Sequence, residues 1–151
     1  MPHILLIFIH ISSYQAAMRS SLKEPISVIM KTIIVQENDS AVLDVLTHAL
    51  TSQGHRTVGI LGDCPKEMSA TILENKPSLI LMDYRSTTES SSILLKAIRK
   101  ITTLVPVLGL SCEFNLEKLS TMVGLSGFLA KPFDLDELFS TVDGMMKIKL
   151  A

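Results

Sequence analysis

The chain contains no tryptophan, only 5% aromatic residues and two cysteines in 151 residues. Each scarcity removes a class of function. Few aromatic rings leave little surface on which bases or sugars could stack. Cys64 and Cys112 lie far apart without metal-type spacing, which points to free thiols in a reducing cytoplasm rather than to a zinc site or a disulfide framework. The formal net charge of −1 offers no basic excess for binding nucleic acid directly or an anionic membrane. The N-terminal apolar run, residues 3–11 (HILLIFIHI), is too short to span a bilayer. It has no Lys or Arg ahead of it, and Ala16-Ala17 is a poor cleavage site, so a signal peptide is not expected. A phosphate-cradling glycine-rich loop is missing too. QENDSA stands after the first hydrophobic strand, which disfavours a flavin- or nucleotide-binding enzyme.

What is present is 47% apolar and 19% charged residues, enough for one globular domain with a real core and too little for two. Residues 1–29 turn from apolar to polar and irregular, and they read as an extension of the domain that starts at Met30. From there two hydrophobic periods alternate. Thr32–Val35 is a β-branched strand, and residues 40–53 place Val42, Val45, Leu46, Ala49 and Leu50 on one helical stripe before Gly54. A second strand, Arg56–Leu61, leads to a helix from Pro65 to about Asn75 with Met68, Ile72 and Leu73 inward. Leu79–Asp83 is a continuous apolar strand ending in a carboxylate, followed by a polar loop over residues 84–91. Residues 92–101 then form a helix on Ile93, Leu94, Ala97, Ile98 and Ile101. Val105–Leu110 is the fourth strand, a short helix spans about Asn115 to Val123, Gly127–Ala130 is the fifth strand, and Phe133 to about Lys147 is the last helix. Strands and helices in strict alternation with short connections predict an α/β fold: a doubly wound, five-stranded parallel sheet of the flavodoxin-like (βα)5 kind covering residues 30–151.

In such a sheet every strand delivers its last residue to one edge. That edge gathers Glu37, Asp83, Ser111 and Lys131. An aspartate after a strand commonly does no more than open a turn, and it is the company of the other three that raises Asp83 above that role. Two carboxylates held together repel and call for a divalent cation, Mg²⁺ by the hardness of their oxygens. A hydroxyl and an ammonium beside them suit phosphoryl oxygens, and a carboxylate nucleophile can carry an acyl phosphate.

Four segments, TIIVQEND (32–39), KPSLILMD (76–83), VPVLGLSCE (105–113) and GFLAKPFDLDEL (127–138), stand in the order and spacing by which residues 30–147 resemble the receiver domain of bacterial two-component response regulators. The resemblance implies that Asp83 accepts a phosphoryl group from a sensor histidine kinase or phosphotransfer protein, and that the domain is a switch in a phosphorelay rather than an enzyme. It implies a Mg²⁺ site made by Glu37, Asp83 and the backbone carbonyl of Arg85. Ser111 would be the hydroxyl that moves to the phosphoryl oxygen, Lys131 the phosphate partner, and Phe128 the aromatic that turns inward with it. The Lys131-Pro132 bond is expected cis. Residues 115–146 would form the responsive face, acting on a separate effector protein and leaving a homodimer open. Arg85 and Glu113 are placed at the mouth of the pocket.

The chain departs from the family pattern in three places. Gln36 replaces the first of two acids after the first strand, Thr87 and Ser91 replace a proline and a glycine in the loop after Asp83, and Cys112 replaces a small residue. These departures keep a second reading open: a degenerate receiver that works as a constitutive, phosphorylation-independent interaction module. Outside this edge, His48 and His55 flank a helix end and are expected to be solvated or capping.

Overall fold

In a computed structural model of the chain, which describes residues 30–113, 115 and 124–147, five strands form one parallel sheet. The strands are β1 (Thr32–Glu37), β2 (Arg56–Leu61), β3 (Leu79–Asp83), β4 (Val107–Ser111) and β5 (Gly127–Ala130). Four helices are described: α1 (Ser40–Ser52), α2 (Pro65–Asn75), α3 (Glu89–Ile101) and α4 (Leu135–Lys147). The helix expected from about Asn115 to Val123 lies outside the described residues except for Asn115, and the extension 1–29 lies wholly outside them.

The strand order β2-β1-β3-β4-β5 reverses direction between β1 and β3, and ligand sites of open α/β sheets form at such a reversal. Composition explains the order. Every residue of β3 and β4 is buried, as a strand covered on both faces must be, whereas β2 and β5 are largely half-buried or exposed and take the edges. Alternate residues of the central strands feed two cores. On one face Ile33, Val35, Leu79, Leu81, Leu108 and Leu110 pack with α1 and α4. On the other, Ile34, Ile80, Met82 and Val107 pack with Met68 and Ile72 of α2 and Leu94, Leu95 and Ile98 of α3. Gly109 belongs to this second face, where a Cβ would fall 2.8 Å from Leu125, so the missing side chain makes the room that Leu125 occupies.

The helix ends are chemically explicit. Asp39 caps α1, its Oδ1 accepting from the amides of Ala41 (2.8 Å) and Val42 (3.1 Å). Pro65 opens α2, and Lys76 closes it in the left-handed region with φ 44°. Asp134 and Glu137 exchange backbone-to-carboxylate hydrogen bonds of 3.0 and 2.8 Å, which sets the start of α4 at Leu135 rather than at Phe133 as expected.

Three further expectations are corrected. α3 begins at Glu89, inside the expected loop, because Ser91 is buried and completes a stripe of Ser91, Leu94, Leu95 and Ile98. That stripe leaves Ile93 and Ile101 outside, and Leu73 of α2 is exposed as well. β4 runs Val107–Ser111 instead of Val105–Leu110, with Pro106 contributing only its carbonyl, to Ile80 N at 3.0 Å. Ile93 and Ile101, with Pro65, Ser69, Ala97 and the stems of Lys96 and Lys100, line a shallow groove of about 340 Å³ between α2 and α3. No helix among the described residues is long and apolar enough to cross a membrane.

The C-terminal end of α3 is fastened by one side chain. The guanidinium of Arg99 donates to Gly124 O (3.0 and 2.9 Å), Val105 O (2.7 Å), Thr102 O (3.5 Å) and Ser126 Oγ (3.1 Å). Its whole forked donor set is thereby in use.

His48 is exposed, as expected, but His55 is half-buried and its Nδ1 is buried without a hydrogen-bond partner. Burial holds the His55 imidazole below its ordinary pKa; the Asp143 carboxylate opposes this and Lys31 reinforces it. With the folded value below the unfolded one, the stabilisation is present above the unfolded value of about 6.5 and is lost as the pH falls through the folded one. Urea midpoints taken between pH 8 and pH 5 should therefore fall less steeply for His55→Phe than for the wild type. Parallel curves for the two proteins would refute this.

Candidate functional site

The carboxyl ends of β1, β3, β4 and β5 bring Glu37, Asp83, Ser111 and Lys131 to one edge. Glu37 is the last residue of β1, Asp83 the last of β3, and both carboxylates are nearly buried, with side chains 2% and 5% exposed. Lys131 follows β5, and its amide donates to Ser111 O at 2.8 Å, tying it to the end of β4. The Lys131-Pro132 peptide is cis, as expected.

Lys131 Nζ lies 3.1 and 3.3 Å from the two Glu37 oxygens and 3.2 Å from Asp83 Oδ1. The other Asp83 oxygen, Oδ2, accepts from Asn38 Nδ2 and from the Arg85 guanidinium, each at 3.0 Å. Asp83 is thus held at both oxygens, at the end of a strand that cannot move without disturbing two cores.

The protonation behaviour follows from this sharing of one ammonium between two acids. Burial alone would raise Asp83, but the hydrogen bond from Asn38 and the charge of Lys131 outweigh it and hold the carboxyl below the ordinary aspartate range. Glu37 goes the other way: burial raises it, and the neighbouring Asp83 charge adds to that rise against the pull of Lys131. Burial works against the Lys131 ammonium, yet Glu37 and Asp83 together keep it above its ordinary value. Asp83 is therefore the more acidic member of the pair.

Gln36 does not stand among the acids as a neutral substitute facing the site. It is fully buried, its Oε1 accepts from Asp83 N at 3.1 Å, and its Nε2 donates to Gly62 O at 2.8 Å. The amide braces the end of β3 and the turn after β2 through β1. Ser111 is buried at the end of β4, and its Oγ accepts from Glu113 N at 3.2 Å. Phe128 is half-buried in β5, in register with Gly109. Glu113 Oε1 accepts from Ser86 N at 2.6 Å, which joins the loop after β4 to the loop after β3. The Arg85 carbonyl, expected to face a metal, accepts from Thr88 N (3.3 Å) and Thr88 Oγ1 (3.2 Å). Cys112 is exposed with a free thiol.

Reading the sequence missed the hydrogen bond from Asn38 to Asp83, the brace made by Gln36 and the recruitment of Ser91, whose Oγ accepts from Arg85 N at 3.0 Å. The position of Asn38 directly after Glu37 was the signal available for the first; the other two depend on neighbours from other strands and loops.

Mg²⁺ fits this donor set. Among the described residues no group of three or more His, Cys, Asp and Glu side chains gathers as a metal site, but Mg²⁺ commonly takes only one or two carboxylates and completes its shell with water and phosphate oxygens. Glu37 and Asp83 would supply those two carboxylates, and the Asp83 charge already adds to the cost of ionising Glu37. The α2–α3 groove is lined by none of the site residues.

A family model for the response regulator receiver domain matches residues 33–143. A curated relative from Arabidopsis thaliana, described as two-component response regulator ARR21, is 29% identical over 114 residues, covering 74% of this chain and 18% of that protein. The chain therefore spans less than a fifth of that relative's length. Among solved structures, the receiver domain of the Francisella response regulator 1452 matches with a TM-score of 0.66 at 25% identity, over 78% of this chain and 97% of that one. The Vibrio cholerae chemotaxis protein CheY4 matches with a TM-score of 0.67 at 21% identity, over 77% and 98%. NtrX from Brucella abortus matches with a TM-score of 0.70 at 22% identity, over 80% and 28%.

Proposed function

The chain belongs to the response regulator receiver domain family, and on that premise we propose that it is a phosphorylation-driven signalling switch with Asp83 as phosphoacceptor. The observation that carries this reading is the Asp83 carboxylate, ionised and held at both oxygens at the end of β3 beside Glu37 and Lys131. The donor is a sensor histidine kinase or phosphotransfer protein. A carboxylate oxygen of Asp83 forms the new bond to phosphorus while the phosphorus–nitrogen bond of the donor's phosphohistidine breaks, and the imidazole departs with the electron pair and takes up a proton.

Receiver domains typically bind Mg²⁺ at this place; here Glu37 and Asp83 would hold it, and when bound it supplies positive charge against the phosphoryl oxygens. Lys131 pairs with a phosphoryl oxygen as a point charge. Ser111 leaves Glu113 N to hydrogen-bond another, and Phe128, in the neighbouring strand, follows it inward. The changed face, residues 115–146, is read by a separate effector protein or by a second copy of the chain. Residues 1–29 are an extension outside this machinery.

Intact-mass analysis after incubation with acetyl phosphate and Mg²⁺ tests the reading. The wild type is expected to gain one phosphoryl mass, and Asp83→Asn none. No gain in a folded wild type would overturn phosphorylation and leave the constitutive interaction module.

A further inference from the structure

Arg85 has three polar parts, and each is engaged. Its guanidinium is 3.0 Å from Asp83 Oδ2, its amide donates to Ser91 Oγ at 3.0 Å, and its carbonyl accepts both donors of Thr88. The first and third of these occupy the oxygens that a divalent cation at this edge would use. We propose that Arg85 is a latch on the metal site: binding of Mg²⁺ requires the guanidinium to leave Asp83 Oδ2 and the turn at Thr88 to release the Arg85 carbonyl. The inference rests on the Mg²⁺-dependent reading given above and adds to it the group that controls metal entry.

Charge and exposure both favour this role. The acids Glu37 and Asp83 are balanced by Lys131 and Arg85, with the uncharged Gln36 turned away, so the site is electrically closed before any cation arrives. A divalent ion entering with both bases in place finds no net attraction and faces the two cations directly, so one base must go. Lys131 is 21% exposed and bound to both acids, whereas Arg85 is 52% exposed and touches only Asp83 of the two. Arg85 is the group able to swing into water at small cost. The loop beneath it stays anchored as it does so, because Ser86 N is held by Glu113 and Arg85 N by Ser91. Asn38, the other donor to Oδ2, is an uncharged amide and does not add to the repulsion.

The test titrates Mg²⁺ into the full chain and follows the backbone amide resonances of residues 37 and 83–86, for the wild type, Arg85→Ala and Arg85→Met. Methionine keeps the apolar stem, so a packing defect confined to alanine is recognised. Both variants are expected to bind Mg²⁺ at least about fivefold more tightly than the wild type, a difference of about 1 kcal/mol. The gain should persist in about 0.5 M salt, where the influence of a distant charge is screened and a direct contact is less so. It should vanish when Asp83→Asn is added. Wild-type affinity in both variants, with metal binding intact, would overturn the latch and leave the Mg²⁺-dependent switch standing. A gain that disappears in salt or survives Asp83→Asn would also overturn it. Absence of binding in all proteins would overturn the latch together with the Mg²⁺ dependence on which it rests.

Discussion

Lys131→Met is expected to destabilise the metal-free domain by about 2–4 kcal/mol, toward the lower part of the range for stripping a buried ion pair of one partner, since the lysine is partly solvated. The ammonium is what permits two nearly buried carboxylates to share an edge, and methionine fills its stem without its charge. Glu37, already raised by burial and by Asp83, then loses the one group that opposed that rise.

The pH dependence between pH 7 and pH 5 should consequently become steeper in the variant, because the Glu37 rise already present in the wild type loses its opponent. In the wild type Asp83 is depressed, so its contribution is present above the ordinary aspartate range and is lost as the pH falls through the folded value. Lys131 is raised, and its contribution is present below the unfolded lysine value and is lost as the pH rises through the folded one. Without Lys131 the raised Glu37 dominates: protonating it favours the folded state, and the variant gains stability as the pH is lowered from 7 toward 5. Added Mg²⁺ should restore part of the loss at pH 7 by neutralising the same two acids. Urea denaturation at the two pH values, with and without Mg²⁺, reads all of this. A variant that is insensitive to both would show that the carboxylates do not depend on each other.

Gln36→Leu should have an effect of similar size, about 2–4 kcal/mol, because it strands the buried Asp83 N, at about 1–3 kcal/mol, and the partly buried Gly62 O, at less. The more informative variant is Gln36→Glu, which restores the acid that this position usually carries in the family. An ionised glutamate can still accept from Asp83 N, but its second oxygen would face the Gly62 carbonyl, acceptor against acceptor. The expected result is a protein destabilised at pH 8 and substantially recovered at pH 5, where a protonated carboxyl can donate to Gly62 as the amide does. Equal stability of Gln36→Glu and wild type at pH 8 would mean that the side chain turns to the metal site instead, and the brace is dispensable.

Much of the architecture was legible from local pattern. A continuous apolar run marked β3 as a buried strand, Pro65 marked the start of α2, and Asp83 and Lys131 stood where their strands had to end. What escaped was decided by partners remote in sequence. Gln36 looked like a weakened metal position because nothing local shows that Gly62 O and Asp83 N converge on it. Ser91 looked like loop because the reason for burying it is the Arg85 amide. Ile93 and Leu73 fit a helical period equally well inside or out, and the rotation was set by Leu95 and by the neighbouring helix. Short-range pattern carries the sheet and its edge; the hydrogen-bonding company kept at that edge is a property of the assembled sheet.

The fastening of Arg99 bears on how the domain opens locally. One fork gathers a helix end, the adjoining approach to β4 and the approach to β5, the last of them 25 residues along the chain from Arg99. Fraying of any one of them leaves Arg99 donors without acceptors and loosens the hold on the other two, so the three gain or lose structure as a single cooperative unit instead of peeling away in turn. A lysine would keep the charge but, as a point donor, could not span all three, and the unit would fall apart into separately melting segments. The strand that bears Phe128 and leads into Lys131 is in this way melted or kept together with the end of α3, on the far side of the sheet from α4.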